Sequence, residues 1–238
     1  MSILATGLAH RGYPKRYPEN TMISFQAALD LGFPFLELDV HLTKDGVPVV
    51  IHDPTVNRTT NGKGRVIDYP LEELRKLDAG QGENIPTLEE VLTLAKGKAK
   101  VDIELKQSGE LYPDLEEKVL DTVQACGMMD QVFVASFDHY SIVKMREISK
   151  EIELGLVIYG ATPSVFPLAS ELQARYVSVK YIYLTDHFVN KCREQGLQVI
   201  AWTVDDEEHM RELLARYPDV WVCTNEAEKW MRYVEEDR

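Results

Sequence analysis

Short apolar segments rich in β-branched residues alternate along the chain with longer segments whose apolar residues recur at helical spacing. This alternation predicts repeated βα units and a parallel sheet. Eight segments are predicted strands: Ala5–His10, Phe35–Val40, Lys100–Leu105, Val132–Phe137, Glu153–Ile158, Tyr176–Lys180, Gln198–Thr203 and Val220–Thr224. Eight others are predicted helices: Thr21–Leu31, Thr87–Ala95, Asp114–Ala125, His139–Lys150, Ser164–Leu172, Asp186–Gln195, Glu207–Ala215 and Ala227–Val234. Strict alternation of eight strands with eight helices favours a closed (β/α)8 barrel, the TIM barrel, over an open sheet.

The stretch between the second and third predicted strands departs from this alternation. It contains about sixty residues, which is more than one helix and two short loops require. Lys44–Gly46 predicts a turn, the apolar run Val47–Ile51 predicts an added strand or hairpin, and Leu71–Leu77 has the pattern of a short helix. We therefore expect one domain over residues 1–238 with a small insertion at about residues 41–86. Such an insertion lies on the face whose loops usually form the substrate site.

Composition and net charge limit the kinds of molecule that this protein is expected to bind. The 238 residues are 45% hydrophobic, which suffices for a sizeable core, and the net charge is −13. A chain this acidic has no general attraction to nucleic acid or to anionic membranes. An anionic substrate would therefore need local basic side chains or a bound cation. The three cysteines have neither zinc-site nor disulfide-framework spacing.

The beginning of the chain carries no targeting pattern. Met1–Gly7 lacks a basic segment followed by a long apolar one, and no window approaches the length of a membrane span. We expect a cytoplasmic protein without stable membrane association, and no pattern in the chain indicates an oligomeric state.

The second predicted strand carries two carboxylates on one face. Glu37 and Asp39 are two residues apart, so in a strand they point to the same side, opposite Leu36, Leu38 and Val40. In a barrel the apolar side packs under the helices and the other side faces the interior. Two carboxylates there repel each other unless a cation or a basic side chain lies between them. A hard divalent cation, Mg2+ or Ca2+, would take oxygen ligands from both.

The third predicted strand adds a carboxylate and a fixed positive charge. Glu104 and Lys106 are again two residues apart and point to one side. Taken alone, they could form a simple internal ion pair. Because the neighbouring strand offers Glu37 and Asp39 at the same level, we expect Glu104 to be the third carboxylate of a metal site.

Two histidines complete a candidate catalytic set. His10 and Arg11 stand at the end of the first strand, where catalytic groups lie in this architecture, and His52 follows the added strand. Phosphodiester cleavage needs a base for the nucleophile and an acid for the leaving alkoxide, and histidine suits both roles. Arg11 and Lys106 would hold the phosphate oxygens. A histidine beside a turn can also be a hydrogen-bonded cap, so His10 alone would not decide the matter.

Other polar and aromatic residues are weaker candidates. Trp202 could stack on the alcohol part of a substrate or could plug the barrel. The run Glu19–Thr21 precedes a helix, and we expect it to cap that helix. Lys180 could reach the barrel mouth. Four further histidines are expected to be surface or locally hydrogen-bonded residues: His41, His139, His187 and His209.

Several motifs occur together in an order typical of one family. They are His10–Gly12, Pro18–Thr21, Glu37–Val40, Asp45-Gly46, His52-Asp53, Arg58–Thr60, Gly62, Ile103–Lys106, Ser136-Phe137 and Ala201–Thr203. In these motifs, which span almost the whole chain, the sequence resembles the glycerophosphodiester phosphodiesterases.

The resemblance implies a (β/α)8 barrel with an insertion after the second strand. It also implies hydrolysis of glycerophosphodiesters, such as glycerophosphocholine or glycerophosphoethanolamine, to an alcohol and glycerol 3-phosphate. In the mechanism proposed for the family, the adjacent glycerol hydroxyl attacks phosphorus, and water then opens the resulting cyclic phosphate. The implied roles are acid and base for His10 and His52, Mg2+ or Ca2+ binding for Glu37, Asp39 and Glu104, and phosphate contact for Arg11 and Lys106.

One position departs from the family pattern. The last strand is followed by Asn225, where many members have an aspartate and then a proline. We expect Asn225 to lie outside the metal and acid–base set and to alter the start of the last helix or the substrate fit.

Two alternative functions stay open at this point: a phospholipase C- or D-like barrel acting on lipid phosphodiesters, and a non-catalytic phosphodiester-binding barrel. A non-catalytic barrel should lack one of the histidines or carboxylates, and none is missing.

Overall fold

Eight parallel strands close into a barrel in the computed structural model, which describes residues 7–236. They belong to the nine strands β1 Gly7–His10, β2 Phe35–Leu42, β3 Pro48–Val50, β4 Lys100–Leu105, β5 Val132–Ser136, β6 Glu153–Ile158, β7 Tyr176–Lys180, β8 Gln198–Trp202 and β9 Trp221–Thr224. All except β3 pair in parallel with two neighbours, and the β1–β2 and β1–β9 pairings close the ring. The predicted (β/α)8 barrel is therefore confirmed. The predicted first strand began at Ala5, and its residues 5 and 6 lie outside the described residues, as does most of Met1–Gly7.

Helices follow the strands around the barrel. They are α1 Met22–Asp30, α2 Leu71–Leu74, α3 Leu88–Ala95, α4 Leu115–Cys126, α5 His139–Ile148, α6 Val165–Glu171, α7 Asp186–Glu194, α8 Glu207–Arg216 and α9 Ala227–Glu236. The predicted helices agree with these to within about one turn. The short helix expected over Leu71–Leu77 ends earlier, at Leu74. No helix within residues 7–236 combines the length and the apolar character needed to cross a membrane.

Side-chain caps explain where many of these helices begin. An oxygen at the residue before the helix accepts a hydrogen bond from a first-turn backbone N–H, which would otherwise have no partner. Thr87 and Glu90 form a reciprocal capping box at the start of α3. The other side-chain caps of this kind are Thr21, Asp138, Thr185 and Asp206.

The long stretch between β2 and β4 has its own small core. Strand β3 pairs antiparallel with the end of β2, with Val50 opposite Val40 and Pro48 opposite Leu42. This pairing extends β2 two residues beyond its predicted end. The buried residues of the small core are Val49, Ile51, Val56, Val66, Leu74, Ala79 and Ile85. Because β3 runs back towards the barrel mouth, the residue that follows Ile51, His52, is brought to the C-terminal ends of the strands.

Two apolar layers determine where polar groups can lie. Leu36, Leu38 and Val40 are fully buried between β2 and the helices, as predicted. Inside the barrel, the N-terminal halves of the strands are filled by a second cluster in which Phe133 stacks on Tyr176 with ring centroids 4.0 Å apart. Above this cluster, towards the strand C-termini, the interior is open to polar side chains.

The turn after β1 depends on a glycine. Gly12 has φ +86, and a Cβ atom there would lie 2.7 Å from the backbone carbonyl carbon of Ser24. Gly32 is a comparison without this crowding: it has φ +85, but no atom lies within 4 Å of where its Cβ would be. We expect Gly32→Ala to reduce the free energy of unfolding by about 1–2 kcal/mol through backbone strain alone. Gly12→Ala should cost about 1–3 kcal/mol more, because α1 must also move. Urea unfolding of both variants measures the difference, and equal losses would show that the close approach to Ser24 is unimportant.

Candidate active site

The predicted site residues converge on one cavity at the C-terminal ends of the strands. The cavity has a volume of about 130 Å³. Seven of the eight predicted site residues line it: His10, Arg11, Glu37, His52, Glu104, Lys106 and Trp202. The eighth, Asp39, does not line the cavity; it is fully buried and contacts Arg11 and Lys106.

Three carboxylates cluster at this cavity. Strand register places Asp39 beside Glu104 and His10 beside Glu37. One oxygen from each of Glu37, Asp39 and Glu104 lies within 4.8 Å of the others. Burial, and then the charges of Asp39 and Glu104, raise the pKa of Glu37 well above its usual range. Burial also raises the pKa of Glu104, although Lys106 opposes the shift.

Asp39 stays ionised because basic and amide groups surround it. Its Oδ1 lies 2.8 Å from Lys106 Nζ, and its Oδ2 lies 3.2 Å from Arg11 Nε. The side-chain amide of Asn20 donates a hydrogen bond of 2.8 Å to the same Oδ2. Burial alone would raise the pKa of Asp39, but Lys106 and Arg11 outweigh it and hold the pKa far below its ordinary value. Lys106 also contacts Glu104.

The donor set suits a hard divalent cation. Glu37, Asp39 and Glu104 offer carboxylate oxygens, the ligands that Mg2+ and Ca2+ prefer, and two basic side chains leave their charge only partly neutralised. A second group within the described residues combines His10, Glu37 and Cys223. Burial raises the pKa of the Cys223 thiol well above its ordinary value, so the protonated sulfur is a poor ligand. The all-oxygen group is therefore the better candidate metal site.

Each candidate catalytic histidine has one ring nitrogen held by a polar partner. His10 Nδ1 lies 2.7 Å from Asn225 Oδ1, and His52 Nδ1 lies 2.7 Å from Asp53 Oδ1. The Nε2 atom of His10 lies 3.9 Å from Glu37 Oε2, beyond hydrogen-bonding distance. Burial, and then Arg11, lower the pKa of His10 to about 4, and burial also lowers the pKa of His52. The lowered pKa favours the neutral form of each ring, in which one nitrogen can accept a proton.

A chain of ion pairs connects the end of β1 to His52. Arg11 Nη1 donates to Glu19 Oε1 at 3.0 Å, and both Nη atoms of Arg58 donate to Glu19 at 2.8 Å. Arg58 Nε in turn donates to Asp53 Oδ2 at 2.8 Å, and Asp53 holds His52. The inserted stretch is therefore tied to the barrel by the residues that orient one candidate catalytic group.

Two predictions about local roles were right only in part. Within Glu19–Thr21 only Thr21 caps α1; Glu19 pairs with the two arginines, and Asn20, at φ +57, turns its side chain to Asp39. His41 is buried and not at the surface: its Nε2 donates to the His52 carbonyl oxygen at 3.0 Å. His41 therefore supports the backbone of the candidate catalytic residue.

Two further polar residues near the site were missed or misplaced. Asn225 was expected outside the acid–base set, but it contacts His10 directly. Asp102 lines the cavity and is buried, and burial and then Glu104 raise its pKa well above the usual range. The two-residue period that linked Glu104 to Lys106 also includes Asp102, so the sequence did carry a signal for it.

An aromatic group borders the cavity on the side of β5, β6 and β8. Trp202 packs against the barrel interior and also lines the cavity, so its two predicted roles are compatible. Its ring makes edge-on contacts with Phe137 at 5.5 Å and Tyr159 at 6.1 Å between centroids. Lys180 donates to the Tyr159 hydroxyl at 3.0 Å and is absent from the described residues that line the cavity.

Comparison with known proteins connects this geometry to a family. The model of the glycerophosphoryl diester phosphodiesterase family matches residues 10–229. A glycerophosphodiester phosphodiesterase of Caldanaerobacter subterraneus subsp. tengcongensis is 40% identical over 215 residues, covering 87% of this chain and 88% of the relative. The chain belongs to the glycerophosphoryl diester phosphodiesterase family.

Other members of the family agree in sequence and in fold. A glycerophosphodiester phosphodiesterase of Bacillus altitudinis is 37% identical, covering 87% of this chain and 89% of the relative. The structure of an Oleispira antarctica phosphodiesterase, in complex with the product sn-glycerol-3-phosphate, superposes with a TM-score of 0.90 at 26% identity, covering 97% and 96% of the two chains. The predicted family, barrel fold and enzyme class, a phosphoric diester hydrolase, are confirmed.

Proposed function

We propose that this family member hydrolyses glycerophosphodiesters, such as glycerophosphocholine or glycerophosphoethanolamine, to an alcohol and glycerol 3-phosphate. The observation that carries the proposal is the pair of histidines, His10 and His52, beside three clustered carboxylates at one cavity. The product complex of the Oleispira antarctica phosphodiesterase supports the same class of small-molecule substrate.

Glu37, Asp39 and Glu104 would hold one Mg2+ or Ca2+ ion in this proposal. The cation, when bound, supplies positive charge that stabilises the negative charge developing on the phosphate oxygens. Arg11 and Lys106 border the same cavity and contribute fixed positive charge for the phosphate. Their ion pairs with Asp39 keep both side chains oriented before the substrate arrives.

His10 and His52 would move the protons. One histidine takes the proton of the glycerol hydroxyl next to the phosphate, and that oxygen forms a bond to phosphorus. The bond from phosphorus to the alcohol oxygen breaks, and the other histidine, which must carry a second proton as the imidazolium, donates its Nε2 proton to this leaving oxygen. Water then opens the cyclic phosphate with the two roles exchanged. Because both Nδ1 atoms contact polar partners, Nε2 is the atom of each ring that exchanges protons.

Product analysis tests the reaction class. We expect glycerol 3-phosphate to be released from water-soluble glycerophosphocholine and glycerophosphoethanolamine in the presence of Mg2+ or Ca2+. Vesicles of intact phospholipid should be hydrolysed much more slowly, because the cavity of about 130 Å³ has little room for a diacyl substrate. Release of a phosphorylated head group, or activity on vesicles alone, would replace this proposal with a phospholipase-like reaction. Absence of turnover on every substrate would indicate a binding barrel.

Substitution of Trp202 can distinguish a role in stacking on the substrate from a role in plugging the barrel. We expect Trp202→Ala to raise KM about threefold to tenfold, since an aromatic contact with the substrate alcohol contributes about 0.5–1.5 kcal/mol. Trp202→Phe should keep most of this contact and serves as the matched control. KM and the free energy of unfolding are measured for both variants. A large loss of stability in Trp202→Ala with an unchanged KM would leave only the plugging role.

A further inference from the structure

Two residues that follow the last two strands of the barrel form a hydrogen-bonded pair beside His10. Asp205 follows β8, and Asn225 directly follows β9. We propose that Asp205 is a positioning residue that acts through Asn225 to fix the proton of His10 on Nδ1 and to leave Nε2 for proton exchange. The proposal rests on the function proposed above for its catalytic meaning, but the arrangement of protons is independent of it.

Asp205 determines which way the Asn225 amide points. Its Oδ1 accepts a hydrogen bond from the Asn225 backbone N–H at 2.8 Å, and its Oδ2 accepts one from Asn225 Nδ2 at 2.7 Å. The Thr224 hydroxyl also donates to Oδ1, at 3.3 Å. A carboxylate only accepts, so the amide must turn its NH2 group towards Asp205. The carbonyl oxygen Oδ1 of Asn225 is then the atom that faces His10.

This orientation in turn determines the tautomer of His10. The Asn225 Oδ1 atom lies 2.7 Å from His10 Nδ1, and an amide oxygen only accepts, so Nδ1 must carry the proton. The requirement holds for neutral and for protonated imidazole alike. His10 Nε2 is 3.9 Å from the nearest Glu37 oxygen and is not held by a hydrogen bond to it. The lone pair of the neutral ring therefore points into the cavity.

The Asp205–Asn225 pair also accounts for the departure from the family pattern at position 225. An aspartate in place of Asn225 would accept the Nδ1 proton of His10 directly. In this chain the acidic group is Asp205, one hydrogen bond further from the histidine, and the amide transmits its effect. Exchanging the acid and the amide between the two positions should consequently preserve the His10 tautomer.

Asp205→Asn should reverse the direction of the side-chain hydrogen bonds that join position 205 to Asn225 and Asn225 to His10. The Asn225 backbone N–H can only donate, so the new amide at position 205 must keep its oxygen there and present its NH2 group to the Asn225 side chain. Asn225 then flips, and its own NH2 group faces His10 Nδ1. We expect His10 to become the Nε2–H tautomer and kcat to fall about 100-fold, within the range for loss of acid–base catalysis. Because no contact with the substrate is removed, KM should change little.

The double variant Asp205→Asn/Asn225→Asp should restore both properties. The new amide at position 205 can donate to the new carboxylate at position 225, which again accepts from His10 Nδ1. Asp206→Asn is the matched control, because Asp206 is the neighbouring residue, caps α8 and contacts His209, and does not line the cavity. It should leave kcat and the tautomer unchanged, since asparagine is an equally good cap.

Two readouts decide the proposal. Long-range 15N NMR spectra of the histidine rings, recorded with Mg2+ present, report the tautomer, and the His10 signals are those absent from His10→Ala. Hydrolysis of glycerophosphocholine gives kcat and KM. Reversal of the tautomer in Asp205→Asn and its restoration in the double variant, with matching changes in kcat, support the proposal. An unchanged Nδ1–H tautomer in Asp205→Asn, or an unrestored one in the double variant, overturns it. A reversed tautomer with wild-type kcat would support the positioning of the proton and remove His10 from the proposed reaction.

Discussion

Replacing His52 or His10 by alanine is expected to lower kcat about 10²- to 10⁴-fold, the range contributed by a positioned acid or base. Both rings line the cavity, and each Nδ1 atom has its own polar partner, so the two residues occupy separate positions in the site. The double variant should have a kcat only slightly below that of the less active single variant, because the acid and the base act in the same proton transfers. Steady-state hydrolysis of glycerophosphocholine measures all three.

His187→Ala provides the matched control for these variants. His187 is exposed on α7 and does not line the cavity, so its removal should leave kcat unchanged. Circular dichroism and the unfolding temperature should show that His10→Ala and His52→Ala are folded. Wild-type turnover in a folded variant of either residue would exclude it from the acid–base pair.

Removal of the cation is the second change expected to have a large effect. EDTA should abolish hydrolysis, and added Mg2+ or Ca2+ should restore it, because in the proposed function the three carboxylates would hold an ion that neutralises the phosphate. Glu37→Gln should raise the Mg2+ concentration needed for half-maximal activity at least about 10-fold, as loss of metal-site interactions generally does. Activity titrated against free Mg2+ measures this shift.

The stability of the same variant separates a metal ligand from a structural acid. Without a cation, burial and the neighbouring carboxylates disfavour a charge on Glu37, so the neutral side chain of Glu37→Gln suits the site and retains an oxygen for the Arg11 backbone N–H. Its free energy of unfolding in EDTA should therefore be no lower than that of the wild type. Glu147→Gln, at an exposed position on α5, is the control and should change neither property. Full activity in EDTA would contradict the proposed cation requirement.

Local patterns in the sequence were sufficient for the barrel and for much of the site. The two-residue period of β2 placed Glu37 and Asp39 on the interior side, because the apolar residues between them could only face the helices. The apolar run after Gly46 predicted the added strand that carries His52 to the mouth. In these cases the determining interaction is burial of neighbouring residues, which periodicity records.

The contacts that orient the site could not be predicted in the same way. His10 and Asn225 are separated by 215 positions, and Arg58 and Glu19 by 39, so no local period relates them. The run at Glu19 has the composition of a helix cap, and that local signal concealed its role in the ion-pair chain. Partners of this kind follow from closure of the barrel, which brings distant segments together after local structure is specified.

Closure between β1 and β9 also has a consequence for protein synthesis. The ribosome makes His10 with the first strand of the barrel, whereas its partner Asn225 follows the last strand. A nascent chain that has already folded its β2–β4 carboxylate cluster still lacks the group that orients His10. The proposed activity should therefore appear only after β9 has left the exit tunnel, so that stalled or truncated translation products remain inert towards the diesters of the cell.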